Sequence, residues 1–111
     1  MSTKKILLAG TMLAMIGLVW LGVVYWMSFF WVSTEVTQGI AQRIFYVHVP
    51  AAWTSFLAFG LAALFSGMYL WLRDERLDRA AVSAAEGGMV FATIMLTTGP
   101  LWGKIAWGTY W

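Results

Sequence analysis

The feature that most constrains this chain is a series of three long segments with almost no charged side chains. The first runs from Ile6 to Thr34 and the second from Ile44 to Leu72, and neither contains a charged residue. About 20 apolar residues in a helix cross the roughly 30 Å hydrocarbon core of a bilayer. Because lipid offers no hydrogen bonds to the backbone, a spanning segment must satisfy its own polar groups, as a helix does. The sequence therefore predicts an all-α integral membrane protein with three transmembrane helices.

The third segment is the weakest of the three. Glu86 is the only charge between Arg79 and Lys104, and the uncharged part, 87–103, is near the lower length limit for a span. A charge inside a membrane is costly unless it faces protein, water or a positive partner. Glu86 therefore has two interpretations, as an interfacial residue near the headgroups or as a buried functional carboxylate.

Two prolines set the expected limits of the helices. Pro50 suits the first turn of the second helix, where the missing N–H costs nothing, and Gly99-Pro100 is expected to end the third. The predicted spans are then about 6–31, 50–72 and 82–100, in a single transmembrane domain. A close helix contact is expected at a stripe of small residues formed by Gly60, Ala63 and Gly67.

The distribution of basic residues predicts the orientation. Cytoplasmic loops carry the excess of Lys and Arg. Lys4 and Lys5 precede the first span, and the turn 73–79, read as a short solvated hairpin connection, holds three arginines, so five of the seven basic residues share one side. We therefore expect a cytoplasmic N-terminus. The segment 32–49 and the tail after Pro100 then share the outer face, which is the periplasm in a bacterium.

Composition excludes several classes of function. Hydrophobic residues make up 61% of the chain and charged residues 11%, well below the roughly 25% charge of soluble domains. A net charge of +2 offers no broad cationic surface, so no nucleic acid partner is expected. Cysteine is absent, which removes thiolate ligands and thiol nucleophiles. No phosphate-binding GxxxxGK[ST] sequence occurs either. Metal chemistry would have to come from His, Met or carboxylate side chains.

His48, in the sequence RIFYVHVPAAW, is the only histidine of the chain. It precedes the expected start of the second span, at the outer surface, and Phe45, Tyr46 and Trp53 are close to it in sequence. A neutral imidazole binds iron, and aromatic side chains suit a flat apolar ring. The alternative is an ordinary interfacial polar residue without a ligand.

The tail TTGPLWGKIAWGTYW is the second candidate. Its tryptophans could form an aromatic belt that anchors a helix end in the membrane interface. The repeated Trp-Gly step is not required for a belt. Glycine beside tryptophan leaves the backbone uncrowded, so that a large planar ligand could approach the indoles.

Together, RIFYVHVPAAW and TTGPLWGKIAWGTYW resemble the N-terminal half of the CcmC family, the membrane haem-handling proteins of cytochrome c maturation. The resemblance implies a six-span fold of which this chain is the front half, and a haem-binding protein that is not an enzyme. It implies that His48 is a metal ligand to haem b, which is bound transiently. It also implies that haem is contacted by Trp102, Gly103, Trp107, Gly108 and Trp111.

The resemblance also implies a location and partners. Haem would be presented at the outer face of the bacterial inner membrane to the haem chaperone CcmE, with CcmA, CcmB and CcmD as transporter-like subunits. In the family the tryptophan-rich motif continues further, and a second histidine follows in later spans, so the chain is expected to be a fragment that offers one axial imidazole. Two other classes stay open, a membrane electron-transfer cytochrome and a ligand-free structural or assembly subunit.

Overall fold

The computed structural model describes residues 2–111 and is helical almost throughout. Two compact units form, one ending at Ser33 and one comprising Thr34–Trp111. Across the described residues, the only β-type pairing is an isolated bridge between Glu35 and Gly39. The prediction of an all-α fold is confirmed. Three helices are long and apolar enough to cross a membrane, as expected.

The first unit is one helix with an irregular end. Helix α1 covers Thr3–Trp26 and continues into a π-helical turn, Met27–Trp31. The N–H of Val32 donates to the carbonyl of Met27 at 2.9 Å, five residues back, which is the hydrogen bond that defines a π-helix. No side chain of α1 is buried in protein. An apolar helix that is exposed on all sides suits surroundings of lipid.

The second unit is a hairpin of two long helices. Helix α2 covers Ala41–Leu72 and helix α3 covers Glu75–Trp107. At 1.5 Å per residue each is roughly 50 Å long, which exceeds the roughly 30 Å of hydrocarbon. The two helices pack along each other. Both ends of the hairpin can therefore extend beyond the hydrocarbon.

The turn between α2 and α3 consists of only two residues. Arg73 ends α2 in the left-handed conformation, with φ 54°, and its N–H donates to the carbonyl of Tyr69 at 2.8 Å. Asp74 caps α3, because its side chain accepts a hydrogen bond from the N–H of Arg76 at 2.9 Å. So short a connection makes the helices antiparallel neighbours. The expected loop 73–79 is thus mostly helical.

The helices meet through small side chains, but not those expected. Ala51 and Ser55, one turn apart on α2, are buried, and the Phe59 ring one turn later lies on Gly88 of α3. A Cβ placed on Gly88 would lie 3.0 Å from that ring. The predicted stripe is wrong for this contact, since a Cβ on Gly60 or on Gly67 would meet no atom within 4 Å. In the packed hairpin, the face of α2 that carries Gly60 and Gly67 points away from α3.

Helix α2 begins well before Pro50, which corrects the predicted start. The preceding loop is tied to the first turn of the helix, where the N–H of Glu35 donates to Oε1 of Gln42 at 2.7 Å. The fixed φ of proline is compatible with a helix, so Pro50 removes one backbone hydrogen bond, that to the carbonyl of Tyr46, without ending the helix.

Helix α3 also continues past the proline expected to end it. Pro100 lies inside α3 and deprives the carbonyl of Leu96 of its helical partner. The helix ends instead at Gly108, whose φ of 78° is a left-handed conformation that glycine adopts without a steric penalty. The predicted end at Gly99-Pro100 is therefore wrong, and the tryptophan-rich segment is mostly helical.

Glu86 lies on an exposed face of α3. Glu86 lies about 10 Å beyond Arg79 along the helix axis. Arg79 itself pairs with Glu75 one turn earlier, at 3.6 Å. If the charged first turns of α3 lie in the headgroups, Glu86 lies within the hydrocarbon; if they extend into water, Glu86 lies near the headgroups. Both interpretations of this carboxylate therefore stay predictions.

Candidate functional site

The open end of the hairpin brings together two segments that are distant in sequence. His48 lies in the second turn of α2, not before the helix as expected from Pro50. Roughly 36 Å of helix separates it from the turn at Arg73. Residues near the C-terminus of α3 are equally far from that turn and pack beside His48. The antiparallel course of the two helices thus places the two candidate motifs at one end of the unit.

The imidazole of His48 is held by α3 through one nitrogen. Its Nδ1 lies 3.1 Å from the carbonyl oxygen of Met95 and 3.1 Å from the hydroxyl oxygen of Thr98. A carbonyl oxygen only accepts hydrogen bonds, so a hydrogen bond to Met95 requires the proton on Nδ1. In a neutral ring Nε2 then keeps its lone pair, which is the form that binds a metal ion.

Gly99 gives the imidazole its space. A Cβ at Gly99 would lie 3.0 Å from Cε1 of His48 and 3.5 Å from its Nδ1. Any larger residue would have to displace the ring by a few tenths of an ångström. Glycine is therefore needed here for a close approach between helices, not for an unusual backbone angle.

A cavity of about 670 Å³ opens beside His48. Pockets for small ligands and cofactors usually measure about 300–1,000 Å³ and are mostly apolar. None of the described residues that line this cavity is acidic, lysine or arginine. The lining consists of Phe45, His48, Val49, Met95, Leu96, Gly99, Pro100, Trp102, Trp107, Tyr110 and Trp111. This lining suits a large, flat, apolar ligand whose centre binds one nitrogen atom.

Trp102 forms the inner wall of the cavity. Its ring centroid lies 4.8 Å from that of Trp107, edge to face, and 6.4 Å from that of Phe45 on α2. The indole Nε1–H is buried and has no acceptor among residues 2–111. A buried donor without a partner costs free energy that an acceptor on a ligand would recover. The wall is therefore incomplete in its hydrogen bonding.

The C-terminal tail folds back over the end of α3. After the reversal at Gly108, the backbone oxygen of Thr109 lies 3.3 Å from where a Cβ on Gly103 would be. Lys104 secures the reversal, since its Nζ donates to the carbonyl of Gly108 at 2.9 Å and lies 5.1 Å from the centroid of the Tyr110 ring. The fold-back places Tyr110 and Trp111 at the cavity.

Comparison with known proteins identifies the family of the chain. The family model described as Heme exporter protein C, CcmC, matches residues 2–111. The chain belongs to the CcmC family. The resemblance found in the sequence is thereby confirmed. No solved structure matches the chain.

Similar curated proteins come from bacteria and from a plant. Heme exporter protein C of Bradyrhizobium diazoefficiens is 43% identical over 69% of this chain and 29% of its own length. Heme exporter protein C of Escherichia coli K12 is 38% identical over 94% of this chain and 40% of its own length. A ccmC-like mitochondrial protein of Marchantia polymorpha is 40% identical over 73% of this chain and 36% of its own length. The chain thus spans well under half the length of these relatives.

Within this CcmC-family chain, the residues predicted for the site divide into two groups. Four line the cavity, namely His48, Trp102, Trp107 and Trp111. Gly103 and Gly108 do not line it, and their place in the structure is in the fold-back of the tail. Two neighbours of His48 point elsewhere: the Tyr46 hydroxyl accepts from Gln42 at 2.8 Å, and Trp53 is 73% exposed outside the cavity.

Sequence reasoning missed the residues that hold the imidazole. Met95 and Thr98 were not candidates, although Thr98 directly precedes Gly99-Pro100 in the noted tail motif. The signal that could have found them is register. In a tight antiparallel hairpin, residues equally distant from the turn face each other, and His48 and Thr98 are nearly equidistant from Arg73 and Asp74.

Proposed function

We propose that the α2–α3 hairpin binds haem as a cargo, and that the chain serves haem transport in the biogenesis of c-type cytochromes. The observation that carries this proposal is the position of His48. Its Nδ1 is bound to α3 and its imidazole lies in the wall of an aromatic cavity, so that Nε2 is left for iron. Family membership supports the same conclusion.

The lining fits the chemistry of haem. The porphyrin is large, planar and apolar, and the cavity offers indole and phenyl faces from both helices. The iron accepts an imidazole nitrogen. His48 is the only histidine in the sequence, so it supplies one axial ligand, and any second imidazole comes from another chain or segment. Haem b held by one such ligand is a cargo that can be released, which suits transient binding.

Delivery is proposed to occur from the edge formed by the tail. Trp107 is 69% exposed and Trp111 is 84% exposed, so the ligand would be covered on one side only. A receiving protein could reach the uncovered side. By the family resemblance, we propose the haem chaperone CcmE as this receiver, with CcmA, CcmB and CcmD as further partners.

The proposed orientation puts the site at the outer face of a bacterial inner membrane. Roughly 36 Å of α2 lies between the charged turn and His48, slightly more than the thickness of the hydrocarbon. With the arginine-rich turn in the cytoplasm, as the positive-inside rule favours, His48 lies in the opposite interface. The tryptophans of the tail then lie at the depth where aromatic residues anchor membrane proteins.

The test is a haem titration of the purified chain in detergent, followed by the Soret band. We expect wild type to bind haem and His48→Ala to lose the imidazole-ligated spectrum. His48→Gly should recover that spectrum when free imidazole is added, which shows that the lost group is the ligand and not the fold. An unchanged Soret band in His48→Ala would contradict ligation by His48. Absence of binding by wild type would contradict haem binding by this chain and favour a ligand-free subunit.

A further inference from the structure

We infer that Thr98 is the positioning residue of the site: it holds His48 as the tautomer that carries its proton on Nδ1, with Nε2 unprotonated. The inference about the ring concerns the protein without ligand. Its consequence for haem rests on the proposed function.

The Thr98 hydroxyl carries a single proton. That hydroxyl donates to the carbonyl of Ile94 at 2.6 Å, a short hydrogen bond, while its distance to the carbonyl of Met95 is 3.4 Å. The single proton of Thr98 is therefore used within α3. Its oxygen can then only accept from His48. The hydroxyl thus acts toward the imidazole as a second acceptor, like the carbonyl of Met95.

The two acceptors decide the tautomer together. If Nδ1 were unprotonated, its lone pair would face the Met95 carbonyl at 3.1 Å, and Thr98 would have to give up its bond to Ile94 to donate. Both changes cost hydrogen-bond energy in a part-buried place. With the proton on Nδ1, the single N–H donates to both acceptors in a three-centre hydrogen bond, with each oxygen at 3.1 Å.

The second acceptor also fixes the ring in space. One hydrogen bond to a carbonyl lets an imidazole rotate about the donor direction, whereas two acceptors and the close surface of Gly99 limit that rotation. An acceptor on Nδ1–H also makes Nε2 a better ligand, and loss of such outer partners typically weakens metal binding 10- to 100-fold. Since Met95 remains when Thr98 is changed, we expect a loss near the lower end of that range.

The first experiment uses nitrogen NMR of the neutral ring in the haem-free chain in detergent. A chain with one histidine gives one pair of ring nitrogen signals. We expect protonated Nδ1 and unprotonated Nε2 in wild type and in Thr98→Ser, and a larger fraction of the other tautomer in Thr98→Val. The control is Thr97→Val, because the Thr97 hydroxyl bonds only to Thr93 and Ile94. Protonated Nε2 in wild type, or a Thr98→Val spectrum equal to wild type, would overturn the inference.

The second experiment titrates the same four proteins with haem. We expect about tenfold weaker binding by Thr98→Val, near-normal binding by Thr98→Ser, and no change in Thr97→Val. A changed tautomer with unchanged haem affinity would overturn the role of Thr98 in haem binding. If no variant binds haem, the proposed function fails, while the NMR result still decides whether Thr98 sets the tautomer.

Discussion

The two ends of the α2–α3 hairpin satisfy their polar groups in different ways. At the closed end, partners are neighbours in sequence: Asp74 accepts from the backbone of Arg76, and the same arginine side chain pairs with its carboxylate at 2.7 Å. At the open end, the bonds of His48 reach residues 47 and 50 positions away. The closed end is polar and exposed, and Asp74 and Arg76 satisfy each other there. The open end keeps a buried donor, Trp102 Nε1–H, without an acceptor among residues 2–111.

On the proposed function, this difference separates a structural end from a binding end. The closed end depends on local chemistry that forms as soon as the helices form. The open end exists only when the helices are packed in register, and on the proposed function a ligand completes its hydrogen bonding. Changes at the open end should therefore affect haem binding with little effect on stability, and changes at the closed end should do the reverse.

Among changes that leave the imidazole of His48 in place, the largest effect is expected from Gly99→Ala. The added Cβ would lie 3.0 Å from Cε1 of His48, so the ring must move away from its two acceptors. We expect haem affinity to fall about 10- to 100-fold, measured by Soret titration. Gly87→Ala is the matched control on the same helix, because a Cβ there meets no atom within 4 Å. Equal haem affinities of the two variants would break the distinction between the ends.

A smaller effect is expected from Trp107→Ala. The indole packs edge to face on Trp102 at 4.8 Å and forms one side of the cavity. If the indole makes a comparable contact with the ligand, its loss removes about 0.5–1.5 kcal/mol, which corresponds to a decrease of roughly tenfold in haem affinity. Trp53→Ala removes an equally exposed indole from α2 outside the cavity. A loss of the same size in Trp53→Ala would show that tryptophans act through the membrane interface and not through this cavity.

No effect on haem binding is expected at the closed end, where Asp74→Ala should lower thermal stability by removing the helix cap. Asp74→Asn should retain most of the stability, because asparagine caps as well as aspartate does. The measurement is thermal unfolding in detergent beside the Soret titration. A weakened Soret band in Asp74→Ala at temperatures where the protein is folded would contradict the independence of the two ends.

The closed end should also respond to acid. The Arg76 side chain bonded to Asp74 lowers the pKa of that carboxyl from 3.8 to about 2. A pKa depressed by folding stabilises the protein above the ordinary value, and that contribution disappears as the pH falls from about 4 toward 2. The difference in melting temperature between wild type and Asp74→Ala should shrink over this interval. A difference that is constant from pH 5 to pH 2 would exclude an ionic contribution of Asp74.

The sequence by itself determined the class of fold and the chemistry available. Long uncharged runs can only be helices in lipid, and one histidine among tryptophans limits which side chain could bind iron. A hairpin connection was also readable, since Arg73 to Arg79 concentrates charge between two apolar segments, but its length of only two residues was not. The helix limits were not, because Pro50 and Pro100 each remove one hydrogen bond and leave the backbone angle helical.

Only the tertiary structure decided how the site is built. Which side chains hold His48 depends on the register of α2 against α3, and that register follows from a two-residue turn and from the contact of Phe59 with Gly88. Neither feature has a local signature strong enough to place Thr98 beside an imidazole 50 residues away. The physical reason is that sequence patterns report local conformation and burial, whereas the tautomer of a ring is set by acceptors brought to it by packing.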